Sequence, residues 1–304
     1  MMPLKTGRRT AFAAAAVAAV VGIAWLLWPA QEPVRIAACP LPPPAGPHAG
    51  MVFVPAATFT MGDTVYAEEG PERQVTAGGF WMDRTEVTNA EFAAFVKATG
   101  YVTTAERPGK KGAAVFVMPS GNVNLSSIAS WWRYVEGANW RHPRGPDSSI
   151  EGRDNDPVVA VSYEDALAYA TWKGRKLPTE EQWERAARGD ELSTPVHDQP
   201  RSANTWQGVF PVIDTAEDGY AGISPVGCFK PNALGLHDMI GNVWELTATP
   251  YAGHQPAAQV IKGGSFLCAP NYCMRYRAGA RQPQEADLGT SHVGFRTILE
   301  APPP

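Results

Sequence analysis

Glycine and proline recur along this chain at almost every place where a long helix or strand would otherwise form. The 304 residues hold 29 glycines and 28 prolines, close to a fifth of the chain where about 12% is usual, and no G-X-Y period or other low-complexity tract accounts for them. Glycine weakens regular hydrogen-bond ladders and proline interrupts them, so a folded but loop-rich domain is expected. A hydrophobic share of 44% is enough for a substantial core and excludes disorder throughout. A formal net charge of −4, without a basic stripe, excludes an electrostatic nucleic-acid binder. Four cysteines are too few for a disulfide scaffold of this length, and no C-x-x-C pair suggests a zinc ribbon.

At the amino end, Lys5, Arg8 and Arg9 precede an uncharged run over residues 11–28. As a helix of about 1.5 Å per residue it would span about 27 Å, nearly a bilayer core. The basic flank is expected to stay cytoplasmic and the rest of the chain to lie outside, periplasmic or extracellular. Residues 1–28 are therefore read as a membrane anchor, with a cleaved signal peptide as the competing reading. Ile36-Ala37-Ala38-Cys39 also resembles a lipoprotein cleavage box. Residues 29–50, rich in proline, read as an extended linker, and residues 51–304 as one domain.

Three helices are legible in that domain. Thr88 and Glu91 make a capping box opening a helix that turns Phe92, Phe95 and Val96 to one face, with Gly100 to stop it. Ser162 caps a second, with Ala166, Leu167 and Ala170 inward and Gly174 closing; Thr179 caps a third, with Trp183, Ala186 and Ala187 on one stripe and Gly189 at its end. Strands are expected over residues 51–55, 157–161, 260–262 and 293–298. The remainder reads as loop studded with aromatics, which bound metal ions could help to fix.

Cys268 and Cys273 flank Ala269-Pro270-Asn271-Tyr272. On a strand, residues five apart point to opposite faces, so an extended segment could not join the two sulfurs. A turn at Pro270-Asn271 can. Facing thiols serve as a disulfide, as a redox dithiol, or as ligands of a soft metal such as Cu(I) or zinc. Spacing alone leaves all three open.

The surrounding residues narrow the choice. Gly263-Gly264-Ser265-Phe266-Leu267-Cys268, Tyr272-Cys273-Met274-Arg275-Tyr276-Arg277 and Gly294-Phe295-Arg296 resemble the active-site signature of the formylglycine-generating enzymes, the sulfatase-modifying factors. Gly137-Ala138-Asn139-Trp140-Arg141-His142-Pro143 with Gly145-Pro146-Asp147-Ser148, Leu177-Pro178-Thr179-Glu180, and Gly241-Asn242-Val243-Trp244-Glu245 are similar to that family's other hallmarks. The resemblance covers nearly all of residues 51–300. It implies an irregular α+β fold related to C-type-lectin-like folds, with little regular secondary structure.

It also implies an activity: oxidation of the cysteine in an unfolded sulfatase's Cys-x-Pro-x-Arg segment to Cα-formylglycine, with molecular oxygen and Cu(I). By the same likeness, Cys268 and Cys273 would be the copper thiolates, with the substrate cysteine as a third. Ser265 would hydrogen-bond within the reaction centre, Tyr272 and Arg275 would line the pocket, and Asp147 would accept the substrate arginine. Glu106 and His292 are further substrate-binding candidates, His292 standing where asparagine is frequent. Two structural calcium ions are implied, one on Asn204, Thr205, Asp218 and Tyr220, the other on Asp238, Gly241, Val243 and Glu245. Ala170 and Ala278 stand where eukaryotic relatives carry additional paired cysteines. The remaining cysteines are unassigned, and Cys228 is read as a buried hydrophobe.

Overall fold

A computed structural model describes residues 39–41, 48–190, 199–253 and 255–301. Contacts divide the chain into Met1–Arg35 and Ile36–Pro304, and every described residue belongs to the second unit. The expected membrane anchor and most of the linker lie outside the described residues. Among the described residues no helix is long and apolar enough to cross a membrane.

Cys39 and Cys228 form a disulfide across 189 residues of sequence, which corrects the reading of Cys228 as a lone buried hydrophobe. Residues 39–41 of the linker are thereby fastened to the domain. Leu41 packs so closely over Gly227 that a Cβ there would lie 2.5 Å from Leu41 Cδ2.

The three helices form where the caps place them: α1 (Asn89–Thr99), α2 (Tyr163–Trp172) and α3 (Glu180–Arg188). Each opens on a reciprocal capping box, in which Thr88, Ser162 and Thr179 accept from the backbone N–H of Glu91, Asp165 and Gln182. Gly100 ends α1 in the left-handed region at φ 68°, which glycine adopts without Cβ strain. One correction falls on α2. Ala166, Tyr169 and Ala170 face inward, whereas Leu167 is 42% exposed, being rotated about 100° from Ala166.

The strands are short: β1 (Met51–Val54), β2 (Ala57–Met61), β3 (Arg73–Ala77), β4 (Phe80–Asp83), β5 (Gly112–Phe116), β6 (Trp132–Glu136), β7 (Gly208–Val209), β8 (Ile213–Asp214), β9 (Trp244–Pro250), β10 (Ala258–Lys262), β11 (Arg281–Glu285), β12 (Val293–Gly294) and β13 (Ile298–Glu300). One sheet has the order β1-β4-β13, a second β11-β10-β9-β12 with β12 parallel to β9, and the other six strands pair as β2-β3, β5-β6 and β7-β8. Residues 157–161 do not make the expected strand, because Ala160 sits at φ 56° and breaks the period of two. The run instead bonds piecewise, Val158 N–H to Val87 O and Ala160 N–H to Thr290 O. The expected strand over residues 293–298 is split into β12 and β13, since Arg296 between them turns its side chain to buried Glu245.

The main core joins α1, α2 and the second sheet through Phe92, Phe95, Tyr169, Trp244 and Phe295, and it includes Cys268 and Cys273. A second cluster packs Trp183 and Ala186 of α3 on β1, β4 and β13. A third gathers Trp131, Trp206, Phe210 and Leu267. Tyr272 packs against both the first and the third.

Candidate active site

Strand β10 ends at Lys262, and Gly263 and Gly264 then turn the chain at φ 92° and 77°. A side chain is not tolerated at the second of these. A Cβ on Gly264 would stand 2.5 Å from Arg275 O and 3.2 Å from Cys268 Sγ, so the glycine is what lets the backbone approach the sulfur. Two successive turns follow. Cys268 N–H bonds Ser265 O at 2.9 Å, and Cys273 N–H bonds Ala269 O at 2.8 Å. The Asn271 side chain fastens the second turn to Phe210, accepting from its N–H at 3.3 Å and donating to its carbonyl at 3.1 Å.

The turns bring Cys268 Sγ and Cys273 Sγ to 3.2 Å. Both are free cysteines and both are buried. Burial pushes the Cys268 thiol well above its ordinary value, while the hydrogen bond from Cys268 lowers Cys273 to about 7, assisted by the Arg275 charge. Of the two sulfurs, Cys273 is therefore the more easily ionised.

Arg275 Nη1 lies 3.9 Å from Cys273 Sγ. Its Nη2 bonds Glu68 Oε1 at 2.5 Å, and its guanidinium sits 3.9 Å over the Tyr66 ring. Tyr66 OH in turn accepts from Met274 N–H at 3.2 Å. Nearby, Arg277 pairs with buried Asp63 and, at 2.7 Å, with Glu69. The acidic segment between β2 and β3 therefore clamps the whole cysteine loop. Sequence reasoning missed Asp63, Tyr66, Glu68 and Glu69; the signal was an acidic cluster on one side and Arg275 with Arg277 on the other, 207 positions apart for the Glu68 pair.

Ser265, three residues before the first cysteine, is fully buried and its hydroxyl accepts from Leu267 N–H at 3.3 Å. Tyr272 stacks on Phe210 at 4.8 Å and meets Trp131 edge-on at 5.2 Å. Trp140, in the 137–148 segment, belongs to the core cluster of the two cysteines, and its indole N–H is buried without a partner among the described residues. Asp147 is exposed on the turn closed by Ser148 N–H to Gly145 O. Glu106 is engaged rather than open, bonded to Arg141 at 2.6 Å and to the Thr103 hydroxyl at 2.6 Å. His292 packs its ring 4.7 Å from Trp132 and faces the Thr290 hydroxyl at 3.1 Å. Desolvation pushes its pKa down to about 3, so it is a neutral hydrogen-bonding group near pH 7.

The two oxygen-donor sets behave differently. In the first, Thr205 N–H bonds Asp218 Oδ2 at 3.3 Å, and Asn204 is buried beside them. Gln207 Nε2 donates both to Thr205 O at 2.9 Å and to Asp218 Oδ2 at 2.8 Å, so these acceptors converge on one point. In the second set the carboxylates have protein partners. Both Glu245 oxygens are taken at 2.7 Å by Arg296, one of them also by Trp183 Nε1, and Asp238 Oδ2 accepts from Gly227 N–H at 2.6 Å. Among the described residues no group of three or more His, Cys, Asp or Glu could hold a metal ion; the cysteine pair offers two.

The site is thus a glycine-turned pair of free cysteines in a loop-rich α/β body. Residues 38–301 match the sulfatase-modifying factor enzyme 1-like domain, and the chain belongs to that family. It is 45% identical over 291 residues to the formylglycine-generating enzyme of Mycobacterium tuberculosis, covering 82% of this chain and 97% of that one. It is 46% identical over 283 residues to the formylglycine-generating enzyme of Thermomonospora curvata, covering 83% and 93%. Among solved structures, PvdO from Pseudomonas aeruginosa is similar with a TM-score of 0.61 and 26% identity, over 86% of this chain and 100% of that one.

Proposed function

We propose that the chain is a formylglycine-generating oxidase. It converts the cysteine of a Cys-x-Pro-x-Arg segment in an unfolded sulfatase to Cα-formylglycine with molecular oxygen, at a Cu(I) site made by Cys268 and Cys273. The observation that carries this is a pair of reduced, buried sulfurs 3.2 Å apart in a domain whose other two cysteines are joined. A non-catalytic module of the same fold gains nothing from keeping such a pair unoxidised. Family membership and relatives named formylglycine-generating enzyme support the same reading.

Cys268 and Cys273, two soft donors without a third from the chain, would hold Cu(I) and leave room for the substrate thiolate. The ion, when bound, supplies the oxygen chemistry. The chain's own residues supply position and charge. Cys268 gives up the proton it shares with Cys273, and the Arg275 guanidinium, held by Glu68 and Tyr66, balances the anionic sulfur. Asp147 takes the substrate arginine as a charge-assisted pair. Glu106 joins the groove only by releasing Arg141, and neutral His292 offers a hydrogen bond without adding charge. In the reaction the substrate Cβ–S bond breaks, Cβ becomes the aldehyde and sulfur leaves as sulfide. Reducing oxygen to water takes two electrons from that oxidation and two more from an external thiol.

A calcium ion at Asn204, Thr205, Asp218 and Tyr220, displacing the Gln207 amide, would be structural. The Cys39–Cys228 disulfide supports maturation in an oxidising, extracytoplasmic compartment. The test is mass spectrometry of a Cys-x-Pro-x-Arg peptide incubated with the copper-loaded protein, oxygen and a thiol. Conversion of CH₂SH to CHO, lost in Cys268→Ser and Cys273→Ser, is the expected result; unmodified peptide refutes the proposal.

A further inference from the structure

The charged share of the chain is 18%, yet residues 112–132 and 202–213 contain no Asp, Glu, Lys or Arg. These two stretches meet in space. Trp131 packs edge-on against Phe210 at 5.4 Å and against Tyr272 at 5.2 Å, and Phe210 stacks on Tyr272. Four apolar residues on these stretches are left in solvent: Val117 is 45% exposed, Ile128 63%, Val209 52% and Ile213 54%. Their backbone is linked to the hub. Val117 N–H bonds Trp131 O at 2.8 Å and Trp131 N–H bonds Ile128 O at 3.2 Å. Trp206 Nε1 bonds Ile213 O at 2.9 Å, and Val209 is cross-strand partner to Ile213 in the β7-β8 hairpin.

We infer that this uncharged apolar rim is a docking surface for an unfolded polypeptide, and that it binds the apolar residues flanking the substrate cysteine. The inference rests on the function proposed above. What selects this occupant is continuity: Tyr272 is the shared member of the aromatic hub and of the cysteine core, and it immediately precedes Cys273. A chain entering the cysteine site meets Tyr272, and with it the aromatic hub whose backbone carries the rim. Folded proteins bury their aliphatic side chains, whereas an unfolded one presents them. An apolar rim without charge thus favours the unfolded state of a substrate, irrespective of its sequence beyond the modified motif.

The experiment compares two peptides on the full chain: a short one holding little more than Cys-x-Pro-x-Arg, and a long one adding apolar flanks. In Val209→Ser/Ile213→Ser and, independently, Ile128→Ser, KM for the long peptide is expected to rise about tenfold or less. KM for the short peptide, kcat and Tm stay unchanged. Equal effects on both peptides, or none on the long one, overturn the inference. Were the wild type inactive on both, the proposed function would fail on its own. Docking would still be read from fluorescence anisotropy of the long peptide with its cysteine replaced by serine, and binding unaffected by the variants overturns it. Wild-type association into dimers by sedimentation, or binding to anionic vesicles, that the same variants abolish would assign the rim to another occupant and overturn it too.

Discussion

Gly264→Ala tests whether the glycine turn is what allows the cysteine pair to form. At φ 77° any residue with a Cβ carries a left-handed penalty of roughly 1–2 kcal/mol. The added methyl would also stand 2.5 Å from Arg275 O and 3.2 Å from Cys268 Sγ, and crowding of that kind in a packed interior costs about 1–3 kcal/mol. Backbone, not a flexible side-chain end, is the nearer obstacle, so the loop must shift. The sum of about 2–5 kcal/mol corresponds to a drop in Tm on the order of 5–15 °C for a domain of this size. Gly100→Ala is the control, because Gly100 has a similar φ of 68° with nothing within 4 Å of the added Cβ and should cost only the left-handed penalty of roughly 1–2 kcal/mol. The assay is thermal unfolding of both variants alongside anaerobic Cu(I) titration with thiol quantitation. Gly264→Ala should melt lower than Gly100→Ala and lose copper affinity, while Gly100→Ala keeps it. Equal melting temperatures with unchanged copper binding would refute the close-approach argument.

Four other outcomes are expected. Arg277→Met leaves buried Asp63 and Glu69 without their cation and should cost about 3–5 kcal/mol in urea unfolding; a loss below about 1 kcal/mol would show the clamp to be unimportant. Burial raises the Glu86 carboxyl well above its ordinary 4.5 and that of neighbouring Asp238 to about 6, so the native state keeps protons that the unfolded chain releases. This stability is complete below the unfolded values and is lost as pH rises through 6 and above; Glu86→Gln should flatten that decline, and an unchanged slope of Tm against pH speaks against it. Cys228→Ser opens the disulfide to Cys39 and should cost about 2–5 kcal/mol, and thiol counting on the native wild type should find only Cys268 and Cys273 free, four reactive thiols being the contrary result. Calcium should raise Tm in the wild type and not in Asp218→Ala, whereas an equal rise in both removes calcium from that loop.

Local chemistry was legible wherever it acts within a few residues. Each helix start followed from a capping hydroxyl, reinforced for the first by Glu91 three positions on, and the turn between Cys268 and Cys273 followed from Pro270-Asn271 and the impossibility of joining the sulfurs along a strand. Residues 157–161 misled because an apolar run carries no sign that Ala160 takes a positive φ. Leu167 misled because an alanine-rich helix leaves its inward face ambiguous by one residue.

The sequence by itself determined a loop-rich chain, its three helix starts, and a cysteine segment whose neighbours resemble a known signature; these depend on steric and capping rules that operate along the backbone. Only the tertiary structure decided that Cys39 closes on Cys228 and that Tyr66 and Glu68 hold Arg275 against Cys273. It also decided that Glu245 faces Arg296 and Trp183. Each of those is a pairing of charges or sulfurs distant in sequence, selected because burial leaves such groups no solvent to satisfy them.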